Sequence, residues 1–281
     1  PNRPTHSTQS NQKPQNIQTG IPYRSRVTLF GPLTPFASTR GRIMNQTPKT
    51  VHLILTTLFA LTLFRPQPLQ AQWSFSLDGV SRYIWRGFDL NPNNHPALQP
   101  SLTYTLGKSG FSVNVWGSFS FKDHHLNETD LTLSYTCQAT EALSVTAGFT
   151  HYGWYFNTPF RFSDHTSQEL YGSITLTKAP LNPTFSVYAD ITNGSGIYAS
   201  LGLGQELTLA QGTKLDLSAT LGYTRRQWVD ASGLSHLTLG VACPLSLGGI
   251  SLTPSAGLTF ILMDAINPAK QEWVLGVSLG F

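Results

Sequence analysis

The segment QEWVLGVSLGF, residues 271–281, alternates large apolar side chains with small or polar ones over its last nine residues. One parity carries the large apolar residues, which are Trp273, Leu275, Val277, Leu279 and Phe281. A period of two residues predicts a β-strand with one apolar face. A long apolar strand at the edge of a soluble sheet invites unwanted pairing, whereas a closed membrane barrel has no edge and needs an apolar outer face. The segment therefore favours a membrane barrel.

The same alternation recurs along the chain and defines twelve segments in all. They cover residues 73–85, 98–106, 111–121, 131–137, 143–149, 170–176, 185–191, 197–203, 215–223, 237–243, 250–260 and 273–281. Short connections such as GKSG alternate with long ones such as KDHHLNET, as in outer-membrane barrels. The pattern predicts an all-β fold, a single 12-stranded antiparallel up-and-down transmembrane β-barrel with both termini in the periplasm. Alternation alone is also compatible with a soluble barrel or sandwich.

Charged residues fall on the polar parity, so we expect them to line a small lumen. Twelve strands spaced about 4.8 Å apart and tilted by about 40° give a backbone diameter near 24 Å and a lumen of roughly 10 Å. The candidate lumen residues are Asp78, Arg82, Arg86, Asp130, Glu169, Asp190, Lys214, Asp216, Arg226 and Glu272.

The motif SRYIWRG, residues 81–87, is predicted to end the first strand. Tyr83 and Trp85 would then lie on the outer face in an aromatic girdle, with Arg82 and Arg86 pointing inward. The two arginines could bias a pore toward anions or hold an anionic ligand. Alternatively, they could form ion pairs with lumenal acids; the candidate partners are Asp78, Glu272 and Asp130.

The N-terminal part differs from the rest in charge. Residues 1–71 contain eight Lys or Arg and no acid, so the remainder holds 10 of the 18 cations and all 14 acids, a net charge of −4. The basic character therefore belongs to the leader and does not indicate a nucleic-acid partner. We expect residues 1–43 to be a disordered or upstream-translated extension, 44–71 a cleaved signal peptide starting at Met44, and 72–281 the barrel. An uncleaved signal anchor is the alternative for the second segment.

Catalytic and metal-binding patterns are weak. Residues 276–280, GVSLG, match the letters GxSxG, but they lie within the final predicted strand and not on the strand-to-helix turn that a nucleophile elbow requires. His124 and His125 could bind a metal in principle, but adjacent histidines on a solvated loop usually do not, and we predict neither a metal nor a cofactor. The protein is therefore not expected to be an enzyme. Cys137 and Cys243 fall on the apolar parity of strands half a barrel apart, which predicts two free thiols facing lipid.

Four ordered stretches resemble a known family. They are SRYIWRGFDLN (81–91), PALQPSLTY (96–104), GFSVNVWGSFSF (110–121) and ETDLTLSYT (128–136). They resemble the TorF-like, or Gcw_chp, family of outer-membrane porins, whose substrate is not established. The resemblance implies a barrel in the outer membrane of a Gram-negative-type bacterium. Phe281 on the final strand resembles the signal that the outer-membrane assembly machinery recognises.

The expected function is thus a narrow porin-like channel for small solutes, with outer-membrane lipid and the assembly machinery as partners. Two alternatives remain open at this point: a hydrolase carried by the barrel, and a non-conducting structural barrel.

Overall fold

The computed structural model describes residues 71–91, 95–122, 124–154, 166–209 and 213–281. The predicted extension and nearly all of the predicted signal peptide lie outside these residues. Within the described ranges the regular structure is entirely β, and no helix there is long and apolar enough to cross a bilayer.

Twelve strands form the wall of the barrel. They are β1 (Ala71–Val80), β4 (Ala97–Leu106), β5 (Phe111–Ser120), β6 (His125–Thr140), β7 (Leu143–Trp154), β8 (Thr166–Leu176), β9 (Thr184–Asp190), β10 (Gly196–Thr208), β11 (Lys214–Arg225), β12 (Ser232–Ala242), β14 (Ile250–Ile261) and β15 (Gln271–Gly280). Three short strands complete the set: β2 (Ile84–Trp85), β3 (Phe88–Asp89) and β13 (Leu245–Leu247).

The main sheet closes on itself. Each of the twelve strands pairs antiparallel with the next, and β15 pairs with β1 from Ser76↔Gly280 to Val80↔Gly276. Phe281 extends this seam, because its amide donates to the Phe75 carbonyl at 3.0 Å. The predicted closed 12-stranded antiparallel barrel is confirmed, and each predicted segment corresponds to one of its strands.

The barrel has an apolar outside and a polar inside. The large apolar side chains of the alternating pattern are exposed on its outer face, with Leu275 63% and Trp73 62% accessible. Hydroxyl pairs join neighbouring strands on the opposite parity, among them Thr132–Thr150 and Thr238–Thr259 at 3.1 and 2.9 Å. Burial is therefore inverted relative to a soluble protein, because polar rather than apolar residues fill the interior.

The two ends of the barrel differ. One end, called here the terminal end, holds Ala71, Gly280 and tight connections such as 107–110 and 141–142. The other, called the loop end, holds the remaining connections; those described in full are 191–195, 226–231 and 262–270. Fully buried polar side chains such as Asn127, Glu128 and Glu169 belong to the loop-end halves of their strands.

The prediction for SRYIWRG is wrong in one respect. The first strand ends at Val80, and the chain then folds into the β2–β3 hairpin instead of extending to residue 85. Tyr83 is only 9% exposed and packs 5.6 Å from the ring of Trp116, which lies on the inner face. The ring centroid of Trp85 lies 5.9 Å from that of the inward-facing Tyr152. Neither aromatic residue belongs to an outer girdle, because the hairpin has left the sheet.

The two cysteines are free. Cys137 lies on β6 opposite Val145, and Cys243 directly follows β12, where its amide donates to the Pro254 carbonyl at 3.0 Å. Pro254 has no amide hydrogen, so it lies where the pairing partner of β14 changes from β12 to β13.

Candidate functional site

A two-residue turn folds the segment after β1 back on itself. Arg86 and Gly87 occupy the turn with φ of 52° and 91°, both in the left-handed region. Positive φ at both central positions defines the type I′ turn, whose twist matches that of a two-stranded hairpin. The Leu90 amide donates to the Tyr83 carbonyl at 2.9 Å, which adds one backbone hydrogen bond beyond the paired residues of the hairpin. The turn therefore presents Arg86 at the tip of a short, hydrogen-bonded hairpin.

The tip of the hairpin contacts the inner wall of the barrel. Arg86 donates two parallel hydrogen bonds to Glu169, from Nη1 to Oε2 at 2.7 Å and from Nη2 to Oε1 at 2.8 Å. Its Nη1 also donates to Oε1 of Gln227 at 2.8 Å. The Arg86 and Glu169 side chains are 9% and 0% exposed. This is a buried bidentate ion pair, the strongest geometry available to an arginine and a carboxylate.

Aromatic rings surround the same guanidinium. Its central carbon lies 4.5 Å from the ring of Trp85, 4.2 Å from Tyr188 and 4.4 Å from Tyr198. Each distance is well within the range of a cation–π contact, which is stronger where water is excluded. Trp85 belongs to the hairpin, whereas the two tyrosines belong to β9 and β10 of the wall.

The wall orients Glu169 without help from the hairpin. The Tyr152 hydroxyl donates to Oε1 of Glu169 at 2.8 Å, and Nε2 of Gln227 donates to Oε2 at 2.8 Å. Thr224 holds Gln227 in turn, because the backbone amide of Gln227 donates to the Thr224 hydroxyl at 3.3 Å. We call Tyr152, Glu169, Tyr188, Tyr198 and Gln227 the guanidinium site.

A second contact fixes the hairpin next to this site. The ring of His236 on β12 hydrogen bonds to the backbone of Arg86, and its Nδ1 lies 3.0 Å from Oγ of Ser235. Gly87 lies against His236 and Ile266, so closely that a Cβ atom at this position would be 3.2 Å from Ile266 Cγ2 and 3.3 Å from His236 Cβ. The hairpin tip therefore contacts β8, β9, β10 and β12 and lies across the lumen.

The charge of Arg86 persists in this setting. Burial by itself would lower the pKa of the guanidinium, but the hydrogen bond and the negative charge of Glu169 oppose it, and the pKa of Arg86 is raised. The hairpin therefore carries a permanent cation into the lumen at any physiological pH.

The remaining candidate lumen residues have different environments. Arg82 forms an ion pair with Glu272, which also accepts a hydrogen bond from Asn267 at 3.1 Å. Asp78 and Asp130 each have one buried carboxyl oxygen without a hydrogen-bond partner. The structure thus pairs Arg82 with one of the three acids considered from the sequence, and pairs Arg86 with Glu169, which was not among them.

Four candidates lie away from the hairpin. Asp190 accepts hydrogen bonds from Ser167 and from backbone amides of the 191–195 connection, and so organises that loop. Lys214 forms an exposed ion pair with Glu206, and Arg226 lies 3.6 Å from Asp230 on an exposed loop. Asp216, near the terminal end of β11, lines an open pocket of about 270 Å³ together with residues of β12, β14 and β15.

Of the guanidinium site, only Glu169 was predicted from the sequence. Tyr152, Tyr188 and Tyr198 occupy the polar parity of their strands, where a large aromatic residue is a signal for a contact inside the lumen. Gly87, with the aromatic residues Trp85 and Phe88 close on either side, is a signal for a hairpin turn. Gln227 lies in a connection, and nothing in its local sequence marks it. Within the described ranges, no group of three His, Cys, Asp or Glu side chains has the arrangement of a metal site.

Comparisons with known proteins place the chain in a family. A family model described as "Bacterial protein of unknown function (Gcw_chp)" matches residues 70–280. A comparison with curated proteins gives no match.

Several solved structures are similar in fold. The translocator domain of autotransporter NalP from Neisseria meningitidis is 9% identical with a TM-score of 0.36, and the match covers 83% of this chain and 96% of that one. CdiB from Acinetobacter baumannii is 9% identical with a TM-score of 0.39, covering 75% and 60%. The beta domain of the Bordetella autotransporter BrkA is 14% identical with a TM-score of 0.37, covering 75% and 98%.

Proposed function

The chain belongs to the Gcw_chp family of bacterial proteins of unknown function, and we propose that it forms a narrow outer-membrane channel closed by its own β2–β3 hairpin. The membrane location is supported by the outer surface. Side chains such as Trp73, Phe185 and Leu275 are more than half exposed there, and a band of this kind is stable only against lipid.

The single observation that carries the channel proposal is the chemistry of the closure. The hairpin is held across the lumen by an ion pair, hydrogen bonds and cation–π contacts centred on Arg86. Separating such groups allows water to solvate each of them, so opening costs less than exposing an apolar core of similar size. A polar closure of this kind is therefore suited to reversible opening.

A permanently closed structural barrel is the second candidate, because the wall accepts three hydrogen bonds from the buried Arg86 side chain. Such a barrel would keep the hairpin as part of its folded interior. The two candidates differ in what happens when the hairpin is removed: a channel conducts, whereas a structural barrel loses stability without conducting.

The location is tested first. We expect the mature chain to fractionate with the outer membrane and to show heat-modifiable gel migration, as closed barrels do. Deleting Phe281 should lower the assembled yield at least tenfold, because it removes the seam contact with Phe75 and the proposed assembly signal. Phe121→Ala, which removes another exposed aromatic side chain, is the control and should change the yield little. Recovery of the full chain as a soluble periplasmic protein would disprove the membrane location.

The channel is tested by single-channel recording in planar bilayers. Wild type should be closed for most of the recording, whereas a variant with residues 83–90 replaced by a short Gly-Ser linker should give long-lived unitary currents. The removed segment is the hairpin whose tip contacts the inner wall of the barrel. Lys270→Ala, which breaks the exposed pair with Asp264 in another loop, serves as the control and should behave as wild type. A hairpin variant that assembles but never conducts would favour the structural barrel.

A further inference from the structure

The wall of the barrel is complementary to a guanidinium group in three independent ways. Glu169 supplies two carboxyl oxygens in the fork geometry, Gln227 supplies a third acceptor, and the rings of Tyr188 and Tyr198 cover the cation at 4.2 and 4.4 Å. An ammonium ion would use only part of this arrangement, because it lacks the planar fork. The site is therefore specific for the shape of the group as well as for its charge.

The same wall groups are held in place by one another. Glu169 keeps hydrogen bonds from Tyr152 and Gln227, and Tyr188 stacks on Tyr171 with ring centroids 5.5 Å apart. Trp228, next to Gln227, is fixed because its backbone amide donates a hydrogen bond to the Gly194 carbonyl at 2.9 Å. These contacts do not involve the hairpin, so the acceptor geometry survives when Arg86 leaves. A preorganised site of this kind binds a ligand with a smaller ordering cost.

We propose that the guanidinium site is a ligand site for alkylguanidinium solutes, and that Arg86 occupies it as an internal ligand in the closed state. A solute that carries a guanidinium group binds Glu169, Gln227 and the two tyrosines once the hairpin is displaced. The entry of such a solute from the lumen rests on the proposed channel, whereas the binding chemistry does not. The aromatic row Tyr171–Tyr188–Tyr198 runs across adjacent strands and continues the cation-binding surface beyond Arg86.

The test removes the Arg86 side chain and supplies the lost guanidinium group as a free solute. Arg86→Ala removes the part of the side chain beyond Cβ, which is equivalent to ethylguanidinium. Adding ethylguanidinium chloride at about 20 mM to the purified, full-length mature variant in detergent should raise the midpoint of its heat-modifiable transition by about 3 °C or more. Ethylammonium chloride at the same concentration should not, because it carries the charge without the fork. Wild type should respond to neither, since its site is occupied.

A double variant identifies the acceptor. Arg86→Ala combined with Glu169→Gln should lose the response to ethylguanidinium, because the carboxylate is replaced by a neutral amide. If Arg86→Ala does not refold alone, its refolding yield with ethylguanidinium or ethylammonium in the buffer is measured instead, and the same preference is expected. No response, an equal response to both ions, or a response retained in the double variant would overturn the proposal. If no unitary current were recorded in bilayers, the proposed channel would be contradicted, but the proposed ligand site would not.

Discussion

Replacing Arg86 with alanine is expected to shift the barrel strongly toward its open state. The substitution leaves Glu169 buried without its cation, and breaking a buried ion pair in this way typically costs about 3–5 kcal/mol. Part of that cost is relieved when the hairpin leaves and water reaches the carboxylate. If the whole cost falls on the closed state, the ratio of open to closed channels rises roughly 160-fold to 4,800-fold. Single-channel open probability measures this directly.

Two further variants test whether the effect is specific to the Arg86–Glu169 ion pair. Lys178→Ala removes an exposed ion pair with Glu141 at the terminal end and should change open probability by less than about fivefold, since such pairs contribute about 0–1 kcal/mol. Glu169→Gln removes the partner of Arg86. The effects of Arg86→Ala and Glu169→Gln should be far from additive, because each breaks the same contact. An Arg86→Ala channel as closed as wild type would show that the hairpin is not the closure.

The strands were predictable from the sequence because each obeys one local rule. Alternation of apolar and polar residues fixes which face of a strand meets lipid, and a shift of one residue would reverse every side chain. The final segment from Trp273 to Phe281 carries this information completely, and its partner strand β1 repeats it. The twelve segments found in this way correspond to the twelve barrel strands.

The hairpin escaped prediction because it continues the same alternation. Tyr83 and Trp85 share the parity of Trp73 and Phe75, so the pattern gives no sign that the chain leaves the sheet after Val80. The physical cause lies in the turn at Arg86–Gly87, where two consecutive residues adopt positive φ. A hydrophobic period reports burial on one face, but it does not distinguish lipid from the inside of a plugged lumen.

The guanidinium site could not be predicted for a different reason. Its members come from distant parts of the chain: Arg86 is 83 residues from Glu169 and 141 residues from Gln227. Only the closure of the barrel brings β8, β9 and β10 opposite the hairpin tip. Alternation predicts which charges face inward, whereas the pairing among them depends on the curvature of the barrel and on the length of the hairpin.

Replacing Gly87 with valine is expected to open the channel without altering any charge. A β-branched residue is strongly disfavoured at φ 91°, and its side chain would meet Ile266 and His236, which lie 3.2 and 3.3 Å from the position of a Cβ atom. Backbone strain and overpacking together should cost the closed state about 2–4 kcal/mol, equivalent to a rise in the open-to-closed ratio of roughly 30-fold to 900-fold. Open probability in bilayers is again the measurement.

Gly172→Val is the matched control for this variant. Gly172 lies within β8 with an ordinary 3.8 Å approach to the Thr146 carbonyl, and valine is favoured in strands, so gating should be unchanged. Gly87→Val also distinguishes displacement of the hairpin from loss of the internal ligand, because Arg86 is still present and competes for the guanidinium site. Its response to ethylguanidinium should therefore be smaller than that of Arg86→Ala at equal concentration. If Gly87→Val stays closed, the strained turn is not what positions the closure, and the ion pair alone must hold it.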